Sequence, residues 1–305
     1  MGSTRQEESA EGEEGRPLTD EQLRHFAANG WVLQEGAFTL DECAQYRAAI
    51  DRLVARDYCI SETRRAANER GRDPEQLGAG ITNVDNMINS GEPLFLSWIT
   101  HPHILPVLKQ LLGTPPSYEG CCCRVTLPHP KRNDAGFVKE ALVPSGYHRG
   151  IRPKWGIVPS DFGPPYINTT FLNNICYFTD IESELDGGTA LLSGSHRTDS
   201  GDANADIQTH LARPGGGVTR LTSVKAGSVL HFTESLIHSA VPVLSESTRY
   251  VMFYGFTPPW MRVWNYGGDS SADRSVVAAA EGELKEILLS AHAYGGQYSA
   301  IQGKL

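Results

Sequence analysis

Apolar residues recur at helical spacing in the first part of this 305-residue chain and in short, turn-bounded runs after it. Thr19-Asp20-Glu21-Gln22 is a capping-box pattern, in which a Thr side chain and a Gln three residues on satisfy N–H groups that a first helical turn leaves free. Leu23 and Phe26 then predict a helix closed by Asn29-Gly30, with Trp31-Val32-Leu33 as a strand behind it. A second box, Thr39 with Glu42, opens a helix carrying Cys43, Tyr46, Ile50, Leu53 and Val54 on one face. Residues 60 to 80 are charged and read as helix plus loop. Ile104, Val107, Leu108, Leu111 and Leu112 form a third helical stripe, stopped by Gly113.

Beyond that glycine the pattern changes to β-rich runs punctuated by Gly, Pro and Asn. The predicted strands are Gly120 to Leu127, Ile167 to Phe178, Thr189 to Leu192, Val218 to Val224, Ser228 to Phe232 and Thr248 to Phe256. A helix over Val276 to Leu289 precedes a Gly-rich tail. Short strands at this density, with helices before and after, imply a mainly β fold with flanking helices: a double-stranded β-helix core of the jelly-roll or cupin-like kind. We expect one domain over residues 17–305 behind an acidic tail, residues 1–16, too polar to bury a core.

Composition narrows the function classes. A net charge of −9 opposes binding to polymeric nucleic acid, which needs basic surface to neutralise phosphates. No apolar run reaches the roughly 20 residues that span a bilayer, and no secretory leader is visible, so a cytoplasmic protein is expected. The consecutive Cys121-Cys122-Cys123 is unlike the spaced framework of a disulfide-rich domain; in a strand its members alternate between faces.

Of ten histidines, His148 and His238 stand where a cupin-like barrel brings two strands to its mouth. Taken singly, each has an ordinary alternative as a hydrogen-bonded core residue. The surrounding motifs change the balance. Leu18-Thr19-Asp20-Glu21-Gln22 with Gly30-Trp31-Val32, the turn Asp186-Gly187-Gly188-Thr189-Ala190-Leu191-Leu192-Ser193-Gly194-Ser195-His196, and the segment from Gly227 to Arg249 together resemble the phytanoyl-CoA dioxygenase-like family of Fe(II)/2-oxoglutarate enzymes. Ser193 stands where the family usually has proline.

The resemblance implies iron ligands at His148 and His238, and a 2-oxoglutarate site based on Arg249, with O2 as co-reactant. The chemistry is apt, since a guanidinium offers a permanently charged, bidentate partner for the distal carboxylate. Enzymes of this kind hold iron with two histidines and one carboxylate. In His148-Arg149-Gly150 the carboxylate position is Gly150, which offers no ligand. Three explanations stand: a halogenase with chloride or bromide in the vacated position, a dead or repurposed fold, or a ligand from elsewhere, for which Asp134 and Asp161 are the nearest loop carboxylates. His-x-Gly resembles the motif of the superfamily's halogenases. Asn168, Thr170 and Asn173 are candidate donors to the halide or to the proximal end of 2-oxoglutarate. His210-Leu211-Ala212 also fits the spacing but follows the Gly-Ser-His turn and is poorly placed.

Substrate is read from charge and rings. Lys131 and Arg132 precede His148, and Arg149, Arg152 and Lys154 surround it, a basic cluster on an acidic chain that suits a small anion. Trp155, Trp260 and Trp264 offer flat surfaces for an aromatic ring. The pattern is similar to that of the nucleotide halogenases that act on 2′-deoxyadenosine monophosphate in nucleoside-antibiotic pathways. The resemblance implies chlorination at its 2′ carbon, with Arg149, Arg152, Lys154, Trp155 and Trp260 holding the substrate.

Overall fold

Both capping boxes form. Thr19 caps α1 (Asp20–Asn29), which ends on Gly30 at φ 83°, a left-handed turn that glycine takes without strain. Thr39 caps α2 (Leu40–Ala55), whose buried face is Cys43, Tyr46, Ala49, Ile50 and Leu53. The third stripe is the helix Leu105–Leu112, closed by Gly113. The computed structural model describes residues 17–58, 81–150, 169–261 and 272–289. The acidic tail and residues 60–80 therefore lie outside the described residues.

The described residues include nine strands in chain order: β1 (Trp31–Gln34), β2 (Ile81–Asp85), β3 (Ser117–Thr126), β4 (Leu172–Tyr177), β5 (Gly188–Leu192), β6 (Val218–Arg220), β7 (Val229–Thr233), β8 (His238–Val241) and β9 (Arg249–Thr257). They form a six-stranded sheet, β1-β7-β4-β9-β3-β2, and a three-stranded sheet, β6-β5-β8. Every pairing is antiparallel. This is the antiparallel, helix-flanked core that the β-rich runs predict.

The large sheet is buried on both faces, and strand alternation sorts its residues into two cores. Leu172 and Cys176 of β4, Val229 of β7, Met252, Tyr254 and Phe256 of β9, and Cys121, Cys123 and Val125 of β3 pack against the helices. Ile175 and Tyr177, Leu230 and Phe232, and Val251 turn the other way, toward the small sheet. The cysteine triplet is thus divided between faces as a strand requires, Cys121 and Cys123 buried and Cys122 half-buried. Trp98 fixes the helical layer to the sheet: it stacks on Tyr254 with ring centroids 4.1 Å apart and donates its indole N–H to Cys176 Sγ.

Several boundaries differ from the expectation. The run from Val218 is a strand only to Arg220, and the last helical stretch divides into Arg274–Ala279 and residues 282–289 at the extended Ala280. β2, β8 and the helices Pro93–Ser97, Ala135–Ala141 and Ala203–Leu211 carry patterns too short or too polar for periodicity to find. Among the described residues, no helix is long and apolar enough to cross a membrane.

Truncation of Trp98 to alanine is expected to cost about 3–5 kcal/mol, the range for a buried large aromatic, whereas Thr39→Ala, which removes one cap, should cost about 1 kcal/mol. Equilibrium denaturation of the two variants checks the ranking; equal losses would contradict the assigned role of Trp98.

Candidate metal and cosubstrate site

The site begins with backbone pairing. His148 and His238 form an isolated antiparallel bridge, His148 N donating to His238 O at 3.0 Å and His238 N to His148 O at 2.9 Å. Directly opposed residues project to the same side of a sheet, and the two imidazole centroids lie 4.4 Å apart. The rings are oriented alike. His148 Nδ1 lies 3.0 Å from Gly146 O, and His238 Nδ1 lies 2.9 Å from Leu236 O. A carbonyl oxygen only accepts, so each Nδ1 carries the proton and each Nε2 keeps its lone pair, the tautomer that binds a metal. Burial first, and then the neighbouring His148, holds His238 down at about 4, so it stays neutral at ordinary pH.

Both histidines line a cavity of about 220 Å³ between the sheets, together with Arg124, Asn173, Phe232, Glu234, Arg249, Val251 and Phe253. Arg249 enters from β9. Its Nη1 donates to Val241 O at 3.2 Å, while its buried Nε has no partner. Space for the guanidinium comes from the Gly187-Gly188 turn: Gly187 has φ 83°, and a Cβ there would overlap Arg249 Nη1. Burial holds Arg249 down to about 10, Tyr177 opposing the shift and the like charge of Arg124 adding to it; the side chain remains a cation near neutrality. Ser193 is accommodated by hydrogen bonds: Trp31 Nε1 donates to its Oγ at 2.9 Å, and Thr219 Oγ1 lies 2.9 Å away.

Gly150 brings the unexpected feature. Two residues along an extended segment face the same way, so a side chain at 150 would project beside His148. The carboxylate of Glu234 already fills that space. A Cβ on Gly150 would lie 2.5 Å from Glu234 Oε1 and 2.7 Å from its Cγ. The Gly150 N–H donates to Glu234 O at 3.1 Å, and Asn173 Nδ2 donates to Glu234 Oε2 at 2.9 Å. Burial pushes the Glu234 carboxyl up to about 7, against the opposing pull of the Asn173 amide and the nearby Gly150 N–H. Asn173 lines the cavity, its amide engaged with Glu234. Sequence reasoning missed Glu234, although it stands four residues before His238 in the segment carrying the family resemblance. Asp134 is instead a helix cap, accepting from Gly136 N and Phe137 N. Among the described residues, no group of three or more His, Cys, Asp or Glu is placed to hold a metal ion.

Of the expected substrate residues, Arg149 and Trp260 are described, and neither lines the cavity. Arg149 points away, its side chain buried in an ion pair of 2.6 Å with Asp206 and donating to Thr198 O. Arg132 pairs with Glu246. Trp260 is 58% exposed beyond the end of β9 and is not among the cavity-lining residues. Arg152, Lys154 and Trp155, with Asp161, Asn168 and Trp264, lie outside the described residues. His210 is buried beside Thr198, 2.9 Å from its hydroxyl, and does not line the cavity.

Residues 26–251 match the phytanoyl-CoA dioxygenase (PhyH) family, and the chain belongs to it. No curated protein matches the chain significantly. Solved structures share the fold. HygX from Streptomyces hygroscopicus, with nickel, 2-oxoglutarate and hygromycin B bound, superposes with a TM-score of 0.59 at 17% identity, covering 81% of this chain and 90% of its own. The carbocyclase SnoK of nogalamycin biosynthesis gives 0.57 at 18%, covering 88% and 98%. The epimerase SnoN of the same biosynthesis gives 0.56 at 19%, covering 79% and 83%.

The Glu234 carboxyl makes a pH signature in the metal-free protein. Its folded value of about 7 exceeds the ordinary 4.5, so the folded state binds more protons between those values and stability falls as pH rises through that window. Glu234→Gln keeps the shape and the Asn173 contact without the charge. Its melting temperature should match the wild type near pH 4.5 and exceed it by pH 8, the gap corresponding to about 3 kcal/mol. A gap that does not change with pH would contradict the burial assigned to Glu234.

Proposed function

We propose that the protein is an Fe(II)/2-oxoglutarate-dependent halogenase that chlorinates an unactivated C–H bond of a small anionic molecule, in the first instance the 2′ carbon of 2′-deoxyadenosine monophosphate. The observation that carries the reading is the paired imidazoles, both with Nε2 free, in a cavity closed by a buried arginine and flanked by a position with no side chain. Family membership and the fold shared with HygX, solved with nickel and 2-oxoglutarate, support the cofactor assignment. The neighbours named for hygromycin and nogalamycin support a role in antibiotic biosynthesis.

The residues fit the missing group. His148 and His238 would hold the iron, and the unpaired Arg249 Nε, deep in the cavity, is a donor awaiting the distal carboxylate of 2-oxoglutarate. Iron loaded with 2-oxoglutarate and O2 supplies the oxidising power that takes a hydrogen atom from an unactivated carbon. Gly150 leaves one coordination place to a chloride or bromide ion, and Phe232, Val251 and Phe253 keep bulk water from the reacting carbon. The residues around the cavity would have to place the substrate carbon closely, since a displacement of about 1 Å is costly in positioned chemistry.

Glu234 favours one alternative, an oxygenase in which its carboxylate swings onto the metal in place of the absent side chain. The two readings separate on halide. With 2′-deoxyadenosine monophosphate as substrate, mass spectrometry should find a chlorinated product in chloride and none when a non-coordinating anion replaces it. A hydroxylated product formed equally in both would contradict the halogenase.

Glu234 also changes the expected behaviour of Gly150→Asp. The new side chain collides with a buried neighbour, so this single variant should lose Fe(II) affinity by tenfold or more, and Gly150→Asp with Glu234→Ala should recover much of it. Isothermal titration with Fe(II) under anaerobic conditions checks this; equal affinity in the single and double variants would contradict it.

A further inference from the structure

We infer that Arg124, on β3, binds the anionic group of the substrate, a phosphomonoester, and that the polar shelf it forms with Asn83 beside Phe253 is where the substrate's charged end docks. The inference rests on the reading above of a small anionic substrate. Cross-strand register places these residues. Arg124 is opposite Val251 of β9 on one side and Asn83 of β2 on the other, so all three project from the same face of the large sheet. That face is the cavity face, where Arg124 and Phe253 join the two histidines in the lining. The small sheet has three strands against six; in the larger one β2 is an edge strand, and β3 lies between it and β9, the strand that carries Arg249.

The side chain is braced but not consumed. Arg124 Nε donates to Asn83 Oδ1 at 3.0 Å, and its guanidinium carbon sits 5.4 Å from the centre of the Phe253 ring. Among the described residues no carboxylate pairs with its two Nη groups. Asp85 is the nearby acid, close enough for the Arg124 charge to act on it; burial nonetheless pushes its carboxyl up. Arg124 is half-buried, whereas Arg249 is 6% exposed, so the two guanidinium groups stand at different depths of one cavity. Glu234 is the one carboxylate among the lining residues. Among the lining residues two guanidinium groups face that single acid, and the more buried one is matched to the cosubstrate. The less buried one, with its Nη pair unpartnered among the described residues and an aromatic ring beside it, has the geometry that holds a phosphate next to a ring. Arg149, the basic residue nearest His148 in sequence, is already neutralised by Asp206.

The test measures binding to the anaerobic Fe(II)·2-oxoglutarate protein by calorimetry, with 2′-deoxyadenosine monophosphate and 2′-deoxyadenosine as probes. The wild type should bind the nucleotide at least tenfold more tightly than the nucleoside. Arg124→Ala should abolish that preference while leaving nucleoside affinity, 2-oxoglutarate affinity and melting temperature close to wild type, and Arg124→Lys should restore part of it. A preference that survives in Arg124→Ala, the lack of one in the wild type, or an equal loss of 2-oxoglutarate binding would overturn the assignment. If Arg124→Ala unfolds, the lysine variant decides, because a phosphate contact through a fork should weaken there and a purely structural cation should not. The halogenase reading stands or falls on halide at Gly150, which none of these titrations probes.

Discussion

Two backbone hydrogen bonds between His148 and His238 set the geometry on which the site depends. Residues far apart in sequence become direct cross-strand partners, so their side chains project together, and the carbonyls of Gly146 and Leu236 then turn both rings the same way. Orientation is achieved without a carboxylate behind either imidazole. The same extended segment carries the chain to Gly150, where the absence of a Cβ is matched by the Glu234 side chain occupying the space. The glycine is thus required by the neighbour it admits.

Charge in the cavity follows from burial. Arg249 is held among Val241, Gly187 and Tyr177 with no acid paired to it among the described residues, and the less buried Arg124 is braced by Asn83. Glu234, the carboxylate in the lining, is pushed up to about 7 by burial and so is poised between neutral and charged forms. Two guanidinium groups thus line the cavity although the chain as a whole carries −9. Charges close to a site act on a ligand more strongly than distant ones, which salt screens.

Much of this was legible in the sequence because it rests on local rules. The capping boxes at Thr19 and Thr39, the glycine closures at Gly30 and Gly113, and seven of the nine described strands follow from patterns of a few residues. His148, His238 and Arg249 were found through motif resemblance, and the fold brings them into one cavity. Glu234 and Arg124 escaped because their roles come from tertiary approach: a tight turn in one case and cross-strand register in the other. A trace existed for each. Arg124 is the lone charge in the Cys121 to Thr126 run, and Glu234 is an acid in the apolar segment leading to His238. The reverse error has the same origin, since Arg149 counted as free positive charge until the fold set Asp206 against it.

The central claim is that a dissolved anion, not a side chain, completes the coordination beside Gly150. Anomalous diffraction at the bromine edge, from crystals of the Fe(II)·2-oxoglutarate protein grown anaerobically in bromide, reads that position directly. The account predicts a bromide peak at bonding distance from iron beside Gly150, with the Glu234 carboxylate still held by Asn173. Iron bonded to a Glu234 oxygen with no bromide beside it would contradict the account.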